Sequence, residues 1–429
     1  MKTDTTAFVT KWEGKRVTLP LHKNGTFDFV VDWGDGVADH ITEHDQKEII
    51  HDYEDGQLTH EVAISGTIEG FGFIVDDPLS YTAINSLPFG SFPLNNTDGF
   101  AQQSRTIALV KKFTNWCMGF VTSKQAIVSG PKEGSQFMDF IKSAQAMAPK
   151  PSDCILLDVL QWGAVKLHNG GCQFTDCTKL KGFSAKDVPD LSNVTNMMGM
   201  FLRATSFNQD LSKWDVGSVT DMKDMFCGAT SFNQNISKWD VSSVTDMSGA
   251  FLRAASFNQD ISNWDVSSVT NMKDMFLGAE VFDQDISNWD VGKVTDMANM
   301  FNGATLFNQP ISNWNVNSVT DTAGMFYEAS SFNQDISNWD VGRVTDMRFM
   351  FHNATAFNQD ISKWNVGSVR NMDCMFMSAV SFNQDISNWD VSSVTAMGGM
   401  FYEASSFDQN ISDWDVINTT KGSPIKQTN

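Results

Sequence analysis

Hydrophobic residues return at a fixed period of 25 along the second half of the chain. Each period carries one tryptophan, and the nine positions are Trp214, Trp239, Trp264, Trp289, Trp314, Trp339, Trp364, Trp389 and Trp414. A fixed period of this length is typical of a solenoid, in which each coil buries its apolar face only against the neighbouring coils. The pattern therefore predicts a nine-coil repeat solenoid over residues 201–425.

Two apolar patterns follow one another inside each repeat. Trp214 and Val216 are two residues apart, which places both on one face of a short strand. The next apolar residues return at spacings of three, one and three, at Met222, Met225, Phe226 and Ala229. This spacing is typical of a turn or two of α- or 3₁₀-helix. We therefore expect an α/β solenoid with one short parallel strand and one short helix in each 25-residue coil.

Two polar positions recur beside the first phenylalanine of each repeat. The position after that phenylalanine is Asn in seven repeats, as at Asn208, and Asp in two, at Asp283 and Asp408. Because a carboxylate cannot donate a hydrogen bond, we expect this side chain to be an acceptor or to be partly exposed. The next position, Gln209 in the first repeat, is Gln in all nine. Its invariance predicts a ladder of stacked amides.

The first 74 residues alternate apolar and polar side chains as strands do. An apolar run over residues 27–33 leads into the turn Gly34-Asp35-Gly36, and further strands are expected over residues 17–21 and 60–68. Short strands separated by turn residues predict a small all-β, immunoglobulin-like sandwich over residues 1–74.

The region between the sandwich and the repeats has no clear period. Residues 75–152 read as an inserted mixed segment, with one amphipathic helix near residues 135–147. Residues 153–200 contain degenerate repeats and are expected to cap the open end of the solenoid, with residues 155–167 pairing with the first coil. Residues 426–429 form a tail, and the inserted segment has no assigned role.

Charge and cysteine content narrow the possible partners. The net charge of −21 argues against nucleic acid, and no apolar run is long enough for membrane insertion. Cys172 and Cys177 are close enough for a disulfide or a metal site, but no further ligand completes a set, so two small residues in a capping turn are the favoured interpretation. Cys227 and Cys374 are expected to be free thiols.

One acidic column is a candidate metal site, where a column is the set of residues at equivalent positions of successive repeats. Its members Asp215, Asp240, Asp265 and Asp290 lie between Trp and Val and should face solvent. Stacked like charges repel, so either calcium between coils or nearby lysine, serine and amide groups must compensate them. We favour the second, because Asn315 and Asn365 interrupt the column. No cofactor and no catalytic residue is predicted.

Variation among the repeats is concentrated at positions that flank the expected helix. These positions should share one outer face, where a ligand would find differences between repeats. The chemically richest side chains lie in the late repeats, and the candidate ligand-binding residues are Tyr327, Arg348, Phe349, His352 and Tyr402.

The motifs quoted above resemble two known families. The phrase Ser-Phe-Asn-Gln-Asp-Ile-Ser-Asn-Trp-Asp-Val-Ser-Ser-Val-Thr-Asp-Met, followed by Met-Phe-x-x-Ala, is similar to the repeat of BspA-like leucine-rich-repeat surface proteins and covers residues 153–425. The order Trp33-Gly34-Asp35-Gly36, then His51-Asp52-Tyr53, resembles the polycystic-kidney-disease-like (PKD-like) domain, in which these residues are structural. The resemblance implies a leucine-rich-repeat-like solenoid in a non-enzymatic protein that binds ligands at the cell surface.

Three functions remain open from the sequence. The first is a binding or adhesion protein for protein or glycan ligands, secreted or at the cell surface. The second is a structural component that self-associates in an envelope or particle, and the absence of an apolar secretion segment at Met1 also leaves an intracellular protein as an alternative. The third is a carbohydrate-active enzyme, which is disfavoured because paired carboxylates recur in every repeat and are distinctive in none.

Overall fold

The computed structural model describes residues 5–72 and 155–419. These residues belong to one compact unit formed by Met1–Val75 and Pro151–Asn429. The inserted segment, including the helix expected near residues 135–147, and the tail lie outside the described residues. The elements in chain order are β1 (Phe8–Glu13), β2 (Arg16–Thr18), β3 (Leu21–Asp32), β4 (Ala38–Ile41), a 3₁₀ turn (Lys47–Ile49), β5 (Ile50–Asp52), β6 (Thr59–Phe71), β7 (Leu156–Gln161) and β8 (Lys166–Leu167).

The N-terminal region is all β. One sheet has the order β4-β3-β6-β1-β7, with β8 parallel to β6, and a second sheet pairs β2 with β5. Residues 155–167 were expected to pair with the first coil, but β7 instead pairs antiparallel with β1, where Thr10 faces Val159. The reason is that β1 has a free edge beside β6, and β7 completes its hydrogen bonding. Toward the repeats, Lys166 in β8 forms a parallel bridge with Asp190, and the Val159 carbonyl of β7 accepts the Ala185 N–H at 3.0 Å.

The Trp33–Tyr53 region holds the turn after β3 in place. The Trp33 ring is fully buried and its Nε1 donates to Asp39 Oδ2 at 2.9 Å. His51 stacks on Trp33 with ring centroids 4.8 Å apart, and its Nε2 lies 2.8 Å from Asp35 Oδ2. Tyr53 donates its hydroxyl to the Trp33 carbonyl at 2.9 Å. These bonds tie the short β2–β5 sheet to the larger one.

The repeats contain neither of the expected elements over residues 196–419 that the structure describes. Each repeat is a succession of turns with one isolated parallel bridge, for example Asp221 to Asp246 and Asp246 to Asn271. The expected strand at Trp-Asp-Val is therefore wrong, because the bridge forms five residues or more further along the repeat. The expected helix is also wrong.

The hydrogen bonds explain why no helix forms. The Met225 N–H closes a turn on the Met222 carbonyl at 3.2 Å, but the Asp224 and Phe226 N–H groups donate to carbonyls of the next repeat, both at 2.8 Å. A helix would direct all of these N–H groups back along its own chain. The third residue of the turn, Asp224, has φ 53°, a left-handed conformation that interrupts a right-handed helix. Consecutive turns thus produce the same apolar spacing that a helix would.

The invariant aromatic residues lie in the core and stack in columns. Phe201, Phe226 and Phe251 stack with centroids 5.5 and 5.6 Å apart. Every repeat tryptophan is 3–7% exposed, and Trp239 Nε1 donates to the Leu211 carbonyl of the preceding repeat at 3.0 Å. Burying an indole removes roughly 150–250 Å² from water, or about 4–6 kcal/mol as an upper bound. The tryptophans therefore hold the repeats together.

The asparagine beside the first phenylalanine links adjacent repeats. Asn208 Oδ1 accepts the Asn233 N–H at 2.9 Å and Gln234 Nε2 at 3.0 Å. Asp283 Oδ1 accepts the equivalent pair from Asn308 and Gln309, at 3.0 and 2.8 Å. The predicted acceptor role is confirmed. The predicted ladder of stacked glutamine amides is wrong, because the eight glutamines from Gln234 to Gln409 each donate to the Asn or Asp oxygen of the preceding repeat.

Candidate binding face and buried acids of the repeats

The acidic column between Trp and Val faces solvent, and backbone amides hold its carboxylates. Asp215, Asp240, Asp265 and Asp290 each accept the N–H of the residue two positions further on, at 3.0–3.2 Å. The Ser242 hydroxyl also donates to Asp240 at 2.6 Å, and its bond lowers the pKa of that carboxyl. Within residues 5–72 and 155–419, no group of three or more His, Cys, Asp or Glu side chains is placed to hold a metal ion.

Three of the candidate ligand-binding residues form one aromatic cluster. The Tyr327 and His352 rings stack with centroids 4.5 Å apart and an interplanar angle of 2°. Phe349 lies edge-on to both, 6.4 Å from Tyr327 and 5.9 Å from His352. The register of 25 residues brings these side chains together, because Tyr327 and His352 occupy one column in neighbouring repeats.

Tyr327 and His352 do not lie on an open surface, as the sequence led us to expect. They are 4% and 6% exposed, and burial raises the pKa of the Tyr327 hydroxyl above its usual value. Seven of the nine residues in their column are buried, namely Leu202, Cys227, Leu252, Asn302, Tyr327, His352 and Met377, whereas Leu277 and Tyr402 are half-buried. The apolar side chains of this column are the sequence signal that should have indicated burial.

Arg348 and Phe349 are the more accessible members of the candidate face. Both are half-buried, and Arg348 Nε pairs with Asp346 Oδ2 at 3.2 Å. Burial raises the pKa of Asp346, although its bond to the Arg348 N–H opposes this. Tyr402 is the fifth candidate, half-buried and two repeats beyond His352 in the same column, so the structure does not bring it into the cluster.

Two buried aspartates on the turn segment were missed from the sequence. Asp224 is 7% exposed and Asp274 is 6% exposed. Burial, with repulsion from neighbouring carboxylates, raises the pKa of Asp224 to about 7 and that of Asp274 to about 6. A Cβ atom on Gly249, which occupies the Asp224 position one repeat later, would overlap the Asp224 carboxyl. The Asp–Gly alternation in this column is the signal that could have revealed the site.

The cysteines separate into one bonded and three free side chains in the described part of the chain. Cys172 is a buried free thiol, and burial raises its pKa to about 11. Cys177 is disulfide-bonded, so neither a Cys172–Cys177 bridge nor two unpaired cysteines in a capping turn is correct. Cys227 and Cys374 are free thiols, as predicted.

These features define a repeat protein with stacked 25-residue units and an N-terminal β region. The chain belongs to the family described as "Mycoplasma protein of unknown function, DUF285", whose model matches residues 172–280, 245–354 and 331–426. No curated protein and no solved structure matches the chain. Among the residues that the structure describes, no helix has the length and apolar character needed to cross a bilayer.

Proposed function

We propose that this chain is a non-enzymatic binding protein, in which the stacked repeats form a solenoid that presents one variable face to a protein or glycan ligand. The tryptophan that is common to all repeats is buried in each of them. The differences between repeats are concentrated on the turn segment, at the positions of Arg348 and Phe349 and their equivalents. A scaffold with an invariant core and variable turns can change its ligand without changing its fold.

The backbone at Phe349 is the observation that carries this proposal. Phe349 has φ 57°, in the left-handed region. Seven of the eight equivalent residues are Gly, Asp or Asn, the types that tolerate this conformation, Gly249 and Asn299 among them, and the eighth is Cys374. A phenylalanine there costs roughly 1–2 kcal/mol relative to glycine. Retaining a bulky ring at a strained and half-exposed position favours a functional role.

The chemistry of the cluster favours a ligand with both apolar and anionic or polar groups. The partly exposed Phe349 ring offers an apolar contact, supported from below by Tyr327 and His352. The Arg348 guanidinium beside it offers a fixed donor array, already oriented by Asp346. Aromatic and arginine side chains dominate binding energy at protein interfaces, and arginine recognises carboxylates through paired bonds. Acidic side chains of a host protein or an acidic glycan fit this combination.

We place the protein outside the reducing interior of the cell. The support is the disulfide at Cys177, because disulfides persist in oxidising compartments and are rare in the cytosol. A secreted or surface-attached protein is consistent with a binding function.

The experiment is a binding screen with the complete chain, using a glycan array and a panel of immobilised extracellular-matrix proteins as probes. Phe349→Gly should keep or raise the melting temperature, because it relieves backbone strain, and should weaken binding to any captured probe by tenfold or more. Asn299→Gly, at the equivalent position two repeats earlier, is the matched control and should bind as the unmodified chain does.

Two outcomes would count against the proposal. One is unchanged capture by the Phe349→Gly variant. The other is the absence of any captured probe together with an increase in mass with concentration in sedimentation experiments, which would favour a self-assembling structural component.

A further inference from the structure

Two histidines stack where the N-terminal sheet meets the repeats. His22 lies at the start of β3 and His168 directly follows β8, and their ring centroids are 4.9 Å apart with an interplanar angle of 18°. The His168 N–H donates to the Phe71 carbonyl at the end of β6, at 3.4 Å. The two rings therefore face each other across the junction between the sheet and the first repeat.

Both imidazoles accept a backbone hydrogen bond at Nδ1. His22 Nδ1 accepts the Asn24 N–H at 3.2 Å, and His168 Nδ1 accepts the Gly170 N–H at 3.0 Å. An Nδ1 atom that accepts a bond carries no proton, so each ring is neutral with its proton on Nε2. Adding a proton would place hydrogen on Nδ1 and break the bond to the backbone. The neutral form is thus built into the local geometry.

The surroundings give a charged His168 no compensation. His168 is 8% exposed, and its Nε2 has no hydrogen-bond partner among the described residues. Gly72 covers that atom, because a Cβ at Gly72 would lie 2.7 Å from it. Gln173 packs alongside and donates its Nε2 to the His168 carbonyl at 2.7 Å.

The charged groups on the adjoining elements do not favour an imidazolium either. Lys23 follows His22 on β3, and His44 lies in the segment after β4; both lower the pKa of His22, after burial. The Glu69 carboxylate on β6 forms an ion pair with Lys166 of β8, with Oε1 and Nζ 2.7 Å apart. In the described residues, no carboxylate lies within 4.0 Å of a nitrogen of His22 or His168.

We propose that the His22–His168 stack is an acid-sensitive latch, which holds β8 and residues 168–173 against the start of β3 and the end of β6 while both rings are neutral and releases them on acidification. Release requires only the local contacts at the end of β6, at β8 and at residues 168–173. The repeats beyond would stay stacked, because each is held by its own neighbours.

The direction of the pH effect follows from the protonation equilibria. Burial, and then the charge of His22, lowers the pKa of His168 from 6.5 to about 4. An opened junction returns this pKa toward 6.5, so the open form binds protons first. The contribution of the latch is complete above pH 6.5 and is lost as the pH falls toward 4. At pH 5 these two values correspond to an increase of about thirtyfold in the open fraction.

The test is hydrogen exchange on the complete chain between pH 7.5 and 4.5, corrected for the intrinsic exchange rate. Peptides covering residues 64–72 and 166–174 should lose about tenfold or more in protection by pH 5, whereas a repeat peptide covering residues 276–301 should not. His168→Asn should keep its protection, because the Asn Oδ1 can accept the Gly170 N–H and does not titrate. His40→Gln, which removes an exposed histidine on β4, is the matched control and should behave as the unmodified chain.

Either of two results would overturn the latch. One is an equal pH dependence of the junction peptides in the unmodified chain and in His168→Asn. The other is junction protection that is unchanged down to pH 4.5, or that is lost only together with that of the repeat peptide.

Discussion

The Asp224 carboxyl occupies the space that a side chain on Gly249 would need. The two residues hold equivalent positions in neighbouring repeats, and both have positive φ, 53° and 63°. A side chain in one repeat thus fills the space left by a glycine at the equivalent position of the next repeat. Asn299 and Gly324 repeat the arrangement further along the chain. Pairs of this kind make the order of the repeats matter, although their cores are nearly interchangeable.

Gly249→Ala is expected to destabilise the protein more than the same change at Gly303. Both glycines have positive φ, so both variants carry the same backbone penalty of about 1 kcal/mol. At Gly249 the new methyl group also collides with Asp224, whereas at Gly303 the nearest atom is the Gly278 Cα at 3.6 Å. We expect a further loss of roughly 1–3 kcal/mol in the free energy of unfolding, measured by urea denaturation. Equal losses in the two variants would contradict the overlap.

Asp224→Asn is expected to stabilise the protein at high pH only. The pKa of Asp224 is about 7 when folded against 3.8 as the ordinary value, so its contribution to stability is present below pH 3.8 and is lost as the pH rises through 7. The asparagine variant should gain about 2–4 kcal/mol relative to the unmodified chain at pH 8 and little at pH 4. Urea denaturation across this pH range is the measurement. Asp240→Asn, at an exposed aspartate, is the control, and a pH-independent difference at Asp224 would exclude a raised pKa.

Ala250→Met is expected to stabilise the core. Ala250 stands where neighbouring repeats have Met225 and Met275. Its small side chain leaves an apolar cavity lined by Met222, Met225, Phe226, Trp239, Met247, Ala250, Phe251 and Trp264. Filling it should raise the free energy of unfolding by about 1 kcal/mol. Ala229→Met, at a position that is alanine in every repeat, should instead destabilise by roughly 1–3 kcal/mol through overpacking. A lower free energy of unfolding in Ala250→Met would show that the cavity is too narrow for methionine.

Asn308→Asp is expected to be nearly neutral, and Asn308→Ala is not. Asn308 Oδ1 accepts the Asn333 N–H at 2.9 Å and Gln334 Nε2 at 3.0 Å. An aspartate keeps both bonds, as Asp283 does one repeat earlier. Alanine leaves two donors without this acceptor, at a cost of about 1–2 kcal/mol. The shift in the urea midpoint of the two variants checks this, and similar losses in both would argue against an acceptor role.

The repeat core could be predicted from the sequence because its signal is copied nine times. Tryptophan, phenylalanine and methionine positions that tolerate almost no change are buried positions, and the two Asp substitutions at the Asn208 column identified a side chain that only accepts. The repeated apolar spacing could not show whether this segment is a helix. Residues at Met222, Met225 and Ala229 face one side equally well in a helix and in consecutive turns with a left-handed residue. Asp224 and Gly228, at those left-handed positions, were the available signal.

The candidate face shows the same limit. The sequence grouped Tyr327, Phe349 and His352 by their variability, and the structure places them in contact. It also buries two of them, because burial depends on what lies above a side chain and not on its spacing. The pairing of β7 with β1 is of the same kind, since strands distant in sequence meet only after the chain has folded.

The sequence by itself determined the period, the identity of the core columns and the acceptor character of the Asn208 column. Tertiary structure decided the course of the backbone, the burial of Asp224 and the meeting of His22 with His168. The physical reason is that a repeated apolar pattern identifies the side chains that are buried when the chain folds. The directions of N–H groups and the local dielectric are properties of packed neighbours, and no single stretch of sequence contains them.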